Sequence, residues 1–173
     1  MDLFLHCFLF GCIYNIGMPK DPVEKMAREL AKHCLAARIR LLSRVVSGIY
    51  ESRIRVGGIT IGQMNMMAAL LMMGSQANST LLGQVLCMEK STVSRNLKKM
   101  VERNWIQKKA EEKGGKGGQL RVTSLGKRVF KKAFSGWKKA QKVAEERLGE
   151  DLVSALLGSI SMEGKVSVKS PKN

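Results

Sequence analysis

Acidic residues are nearly missing from one third of this chain. Between Lys90 and Lys142 there are only three, Glu102, Glu111 and Glu112, against seventeen lysines and arginines. That stretch holds an excess of fourteen positive charges within a total formal net charge of +16. A basic surface that serves solubility alone has no need to be localised, so the concentration points to a polyanion, either nucleic acid or an anionic membrane surface. Ligand-type residues are just as sparse. The four cysteines, Cys7, Cys12, Cys34 and Cys87, include no CxxC pair, and His6 and His33 are the only histidines. This spacing yields neither a zinc site nor a disulfide framework, so no metal and no cofactor is expected, and the expected setting is a reducing cytoplasm. Catalytic patterns are missing too. There is no Cys-His or Ser-His constellation, and the paired glycines at 114–115 and 117–118 match no phosphate-cradling loop, so no catalytic residue is assigned and the chain is read as a non-enzyme.

An apolar stretch opens the chain. "LFLHCFLFGCIYNIG" (Leu3 to Gly17) is too short to span a bilayer as a helix. It also lacks the preceding positive charge and the small-x-small cleavage site of a secretory signal, since the only charge before it is on Asp2. Met18 follows directly and leads into the polar "PKDPVEKM". The expectation is that translation starts at Met18 and that residues 1–17 are an upstream extension.

The whole sequence, 173 residues of which 45% are hydrophobic, is enough for one ordinary domain with appended helices. From Asp21 to about Ser52 the spacing predicts one long helix, with Asp21 as N-cap and Pro22 in the first position. Met26, Leu30, Cys34, Ala37, Leu41, Val45 and Ile49 form one apolar stripe, and Leu35, Ile39, Leu42 and Val46 a second beside it. Thirty or so residues make a rod of roughly 45 Å, and so wide an apolar face on so long a rod implies a partner subunit. "RVGG" (Arg55 to Gly58) breaks it. Thr60 then caps a methionine-rich helix to about Met73, and "GSQANST" (Gly74 to Thr80) is a turn. Ser79 is expected to cap a short helix, Leu81 to Cys87, followed by the basic helix "MEKSTVSRNLKKM" (Met88 to Met100), which Asn104 can end in a left-handed conformation. Two β-prone pieces, Trp105–Lys109 and Gln119–Thr123, flank a charged glycine-rich tip and predict a hairpin. Thr123 or Ser124 caps the next long helix, Gly149 stops it, and "EDLVSALLGSI" gives a last short one. The tail, Ser161–Asn173, is polar and expected to be disordered.

In the basic helix Val93, Leu97, Met100 and Val101 share one face, an ordinary way to dock on a core. The other face crowds Ser91, Thr92, Ser94, Arg95, Asn96, Lys98 and Lys99, with no acid between residues 90 and 101. A solvated face usually mixes signs and gains from Glu-to-Lys pairs four apart. A short helix, a tight turn and a second helix with such a face form a helix-turn-helix. Gly83 lets the two helices approach, and Leu86, Met88, Val93 and Leu97 fill the joint. Ser, Thr, Asn and Arg offer donors and acceptors to base edges in a major groove, whereas Lys90, Lys98 and Lys99 suit phosphates on its walls. The hairpin supplies a wing, with Lys113 and Lys116 placed to reach the DNA backbone or a minor groove.

Several strings in their order carry a resemblance: "CLAARIRLLSRVVSGIY", "GITIGQMNMMAALLMMG", "LGQVLCMEKSTVSRNLKKMVERNWI", "LRVTSLGKR" and "WKKAQ". Over roughly Asp21 to Ile160 the chain resembles a MarR-type winged helix-turn-helix transcriptional regulator. The resemblance implies a mainly α fold with a small β-hairpin wing and flanking dimerisation helices. It further implies a homodimer on a pseudo-palindromic operator in double-stranded DNA, a repressor, and release by a small aromatic or phenolic effector. One departure stands out: family wings usually carry an Asp-x-Arg pair, whereas the tip here reads "EEKGGKGGQLR", so Arg121 belongs either to the wing's DNA contacts or only to the returning strand. The implied organisation is an N-terminal extension (1–20), a dimerisation helix (21–58), the DNA-binding domain (59–123), C-terminal dimerisation helices (124–160) and a tail (161–173).

Plainer readings stand beside these. Ser91 can be only an N-cap, and Lys113 and Lys116 only a mobile charged loop. For Cys34, packing is favoured over redox sensing, because His33, Arg38 and Lys32 supply few nearby cations. Met64, Met66, Met67, Met72 and Met73 fit core filler better than a ligand pocket, and Trp105 and Trp137 fit anchors. The competing function is a non-specific or architectural nucleic-acid binder. A membrane-surface protein would need large apolar residues opposite the lysines on one exposed helix, and here the core needs those positions.

Overall fold

A computed structural model describes residues 21–54, 56–109 and 118–159. The expected extension and start at Met18, the tip lysines Lys113 and Lys116, and the tail lie outside the described residues. The chain divides into two units between Arg44 and Val45.

The single rod expected over Asp21–Ser52 is instead two helices, α1 (Pro22–His33) and α2 (Leu35–Glu51), the second of which runs across that division. Asp21 caps α1 as expected, its carboxylate accepting from the Val23 N–H at 2.9 Å. The break falls at Cys34, whose backbone is extended (φ −69°, ψ 103°). No Gly or Pro marks it. His and Cys are among the weaker helix formers, and no residue of α1 is buried, so packing does not enforce continuity. Val23, Met26, Leu30, Leu35 and Ile39 are each more than 60% exposed.

In the second unit Ile54, Met66, Met67, Leu82, Met100, Ile106 and Leu120 are the fully buried centre. α3 (Ile61–Met73) is apolar around most of its circumference, which is the pattern of a buried helix. Thr60 starts it with a capping box: its hydroxyl accepts from Gln63 N–H, and the Gln63 side-chain Oε1 accepts from Thr60 N–H, both at 3.2 Å. Met64, Met66 and Met67 are core filler, while Met72 is 79% exposed. The chain turns at Gly74–Gln76 into α4 (Ser79–Val85). The cap of α4 is Asn78, not Ser79: Asn78 Oδ1 accepts from Leu81 N–H at 2.9 Å, and Ser79 is already helical.

After α5 (Lys90–Glu102), Asn104 takes the left-handed conformation (φ 55°). β1 (Ile106–Lys109) and β2 (Gln119–Val122) then pair antiparallel, with Gln107 opposite Arg121 and Lys108 opposite Leu120. Thr123 caps α6 (Ser124–Leu148), its hydroxyl accepting from Gly126 N–H at 3.0 Å and donating to Asn104 O at 2.6 Å. Two glycines let α6 lie directly on backbone. A Cβ at Gly126 would sit 2.1 Å from Trp105 O, and one at Gly136 would sit 2.2 Å from Arg53 O. The end of α2 reaches α6 through Ile49, packed with Ala140 and Ala144, and through the Tyr50 hydroxyl, which donates to Gln141 Oε1. Gln141 in turn donates to Glu145 Oε1 at 2.8 Å. Burial pushes the Tyr50 phenol above its usual 10.0, and the Glu145 charge adds to the shift. Gly149 (φ 79°) ends α6, and α7 (Glu150–Ser159) follows with Leu157 69% exposed.

Candidate nucleic-acid interface

α4 and α5 meet as closely as a small residue allows. Gly83 sits at the joint, where a Cβ would lie 3.3 Å from Met88 O and 3.5 Å from Val93 Cγ2. The turn between the helices closes with Met88 N–H donating to Gly83 O at 2.9 Å, and it places Cys87 at φ 49°. A left-handed cysteine is uncommon, and no glycine or asparagine announced it. Val93, Leu97 and Met100 are buried and hold α5 against the core, while Leu86 and Met88 pack half-buried beside them.

The opposite face of α5 is left open. Lys90, Ser91, Ser94, Arg95, Lys98 and Lys99 are exposed, and Thr92 and Asn96 are half-buried. Glu89, not Ser91, holds the cap position, and its side chain makes no capping bond. Ser91 is therefore inside the first turn, and its hydroxyl is not needed to start the helix. Arg95 lies along this turn: Nε donates to Ser91 O at 3.4 Å and Nη2 donates to Thr92 Oγ1 at 3.3 Å. Both contacts are long, so swinging the guanidinium outward costs little. Asn96 Nδ2 donates to Thr92 O at 3.0 Å, which occupies one amide donor and leaves its oxygen to accept.

Beside this face a cleft of about 590 Å³ opens, lined by Ser79, Gln84, Lys90, Ser94 and Lys108 among others, over a floor that includes Val93 and Leu97. Lys108 was legible in the sequence only as one member of the basic block, because four residues of strand are too few for alternation to fix its facing. Arg121 belongs to the returning strand β2, is exposed, and donates from Nε to Gln119 Oε1 at 3.1 Å. Arg103, another member of the block, serves the fold: Nη1 donates to Gly58 O at 2.9 Å, and the guanidinium lies over the Trp105 ring at 4.9 Å. Trp105 is 4% exposed and anchors the start of the hairpin, its carbonyl accepting from Thr123 N–H at 2.9 Å.

Among the described residues no group of three or more His, Cys, Asp or Glu could hold a metal ion. Nor is any described helix long and apolar enough to cross a membrane.

Residues 63–126 match the family model described as a winged helix DNA-binding domain. No curated protein sequence matches the chain. Solved structures do. A mutant MarR from E. coli complexed with operator DNA superposes with a TM-score of 0.63 at 15% identity, covering 70% of this chain and 87% of that one. The PcaV transcriptional regulator from Streptomyces coelicolor, in complex with its natural ligand, gives 0.65 at 19% identity, covering 75% and 89%. A probable transcriptional regulator from Pseudomonas aeruginosa gives 0.64 at 16% identity, covering 73% and 94%. Residues 63–126 are therefore similar to a winged helix DNA-binding domain, and the chain shares its fold with MarR of E. coli and these other transcriptional regulators.

Proposed function

We propose that this protein is a sequence-specific transcriptional regulator that binds a pseudo-palindromic operator as a homodimer, represses from it, and is released by a small aromatic or phenolic ligand. The observation that carries the reading is the open face of α5. Phosphate binding alone needs only Lys and Arg, but this face interleaves Ser91, Ser94, Arg95 and Asn96 with the lysines on a helix fixed by Val93, Leu97 and Met100. Lys90, Ser91, Thr92, Ser94, Arg95, Asn96, Lys98 and Lys99 are the proposed contacts from the reading helix and Arg121 the one from β2, and Lys113 and Lys116, outside the described residues, are proposed to add backbone contacts. Assembly as a homodimer is supported by the apolar residues left exposed on α1, α2 and α7. The operator is supported by the E. coli MarR complex, and an effector by PcaV with its natural ligand.

Footprinting the purified protein on the DNA flanking its own coding region tests this. The protected duplex should bind at least about a thousandfold more tightly than random duplex of the same length at physiological salt. Comparable affinities would replace the regulator with a non-specific or architectural nucleic-acid binder.

A further inference from the structure

Of the seventeen cations between Lys90 and Lys142, seven lie on α6: Lys127, Arg128, Lys131, Lys132, Lys138, Lys139 and Lys142. At 3.6 residues per turn they fall within roughly 140° of arc, on the side away from the buried Ala133, Gly136 and Ala140. Every one of them is exposed. α6 carries no acid before Glu145, so the stripe has almost nothing to neutralise it from within. Lys142 approaches Glu146 at 4.0 Å and Lys138 lies over the Phe134 ring at 5.4 Å, but none of Lys127, Arg128, Lys131, Lys132 and Lys139 has an acidic partner among the described residues. Seven like charges on one face repel each other and gain nothing for the fold, because like-charge pairs four apart are destabilising.

From this we propose that the exposed face of α6 is a second phosphate-binding surface, which holds the backbone of duplex DNA outside the segment read by α5. The stripe spans about 22 Å at 1.5 Å per residue. A duplex presents one charge per roughly 1.7 Å of axis, so that length faces roughly a dozen phosphates. The face carries cations and Ser135 without an interleaved amide, so it can bind backbone but has little with which to read bases. It is also continuous with the DNA-binding domain: Lys127 comes five residues after Val122, the end of β2, and Thr123 and Gly126 clamp the start of α6 to Trp105. The inference rests on duplex DNA being the partner, but not on base reading.

The test compares the footprinted duplex trimmed to its protected segment with the same duplex flanked by roughly two helical turns on each side. The variant combines Lys127→Gln, Lys131→Gln, Lys132→Gln and Lys139→Gln, four lysines without partners that glutamine replaces without loss of helix propensity. The parent should show a steeper fall of log affinity with log salt on the flanked duplex than on the trimmed one. The variant should flatten the flanked slope by about 0.9 for each phosphate no longer held and leave the trimmed slope unchanged. Equal parent slopes on the two duplexes would overturn the proposal whatever the variant does. So would an equal variant loss on both, or an effect confined to single-stranded RNA or to phosphatidylserine vesicles. If base reading itself fails, no protected segment appears, and random duplexes of the two lengths test the face in the same way.

Discussion

Tyr50 links the end of α2 to α6 through Gln141 and Glu145, and its chemistry sets a pH limit on the fold. Because burial, and secondarily Glu145, raises the phenol above 10.0, the folded state favours neutral Tyr50 more than the unfolded chain does. Its contribution is then full below pH 10.0 and is lost as pH rises through the raised folded value. In urea titrations between about pH 9 and about pH 11, the parent should lose stability more steeply than Tyr50→Phe. Tyr50→Phe should also cost about 0.5–1.5 kcal/mol at neutral pH, for the lost hydrogen bond. Parallel pH profiles would show that the phenol is not held this way. No pattern in the sequence pairs Tyr50 with Gln141, ninety-one residues away, because such a contact follows from the fold and not from spacing. The same is true of Arg103, which belongs to the basic block by composition and to Gly58 and Trp105 by structure.

Three helix starts and one helix end were legible from the residue at the boundary. Asp21, Thr60 and Thr123 all cap as their position ahead of an apolar period implies, and Asn104 ends α5 in the left-handed region. Two element-scale readings failed for physical reasons. The α1–α2 break at Cys34 has no Gly or Pro to signal it, and nothing buried in α1 opposes it. At α4 two adjacent residues could both cap, and the chain uses Asn78, so the helix begins earlier than expected. Thermal or urea unfolding separates the two: Asn78→Ala should cost about 1 kcal/mol and Ser79→Ala a few tenths at most. A larger loss for Ser79→Ala would restore Ser79 as the cap. The helix-turn-helix itself was legible because its joint needs few residues, Gly83, Val93 and Leu97, in one short stretch. The left-handed Cys87 between them was not, since its conformation is imposed by the Met88 N–H to Gly83 O closure.

For the whole molecule, the proposed homodimer explains why a chain with a satisfied core leaves so much apolar surface uncovered. Leu30 and Ile39 are 67% and 64% exposed, so the paired substitution Leu30→Glu with Ile39→Glu removes little that the single chain buries. Light scattering should show the variant as a monomer with near-parent helicity, and its operator affinity should fall by at least about tenfold with the loss of the second half-site. An unchanged dimer would place the interface elsewhere, and a monomeric parent would refute it. The central claim, that the open face of α5 reads sequence, is tested most directly by comparing Arg95→Ala with Lys99→Ala on operator and random duplex across a range of salt. An arginine giving two parallel hydrogen bonds to guanine contributes about 1–3 kcal/mol of discrimination. Arg95→Ala should weaken operator binding by about that much and random DNA far less, whereas Lys99→Ala should weaken both about equally and lower the salt slope by about one unit. If Arg95→Ala loses the same affinity on both DNAs, the protein binds phosphate and does not read bases.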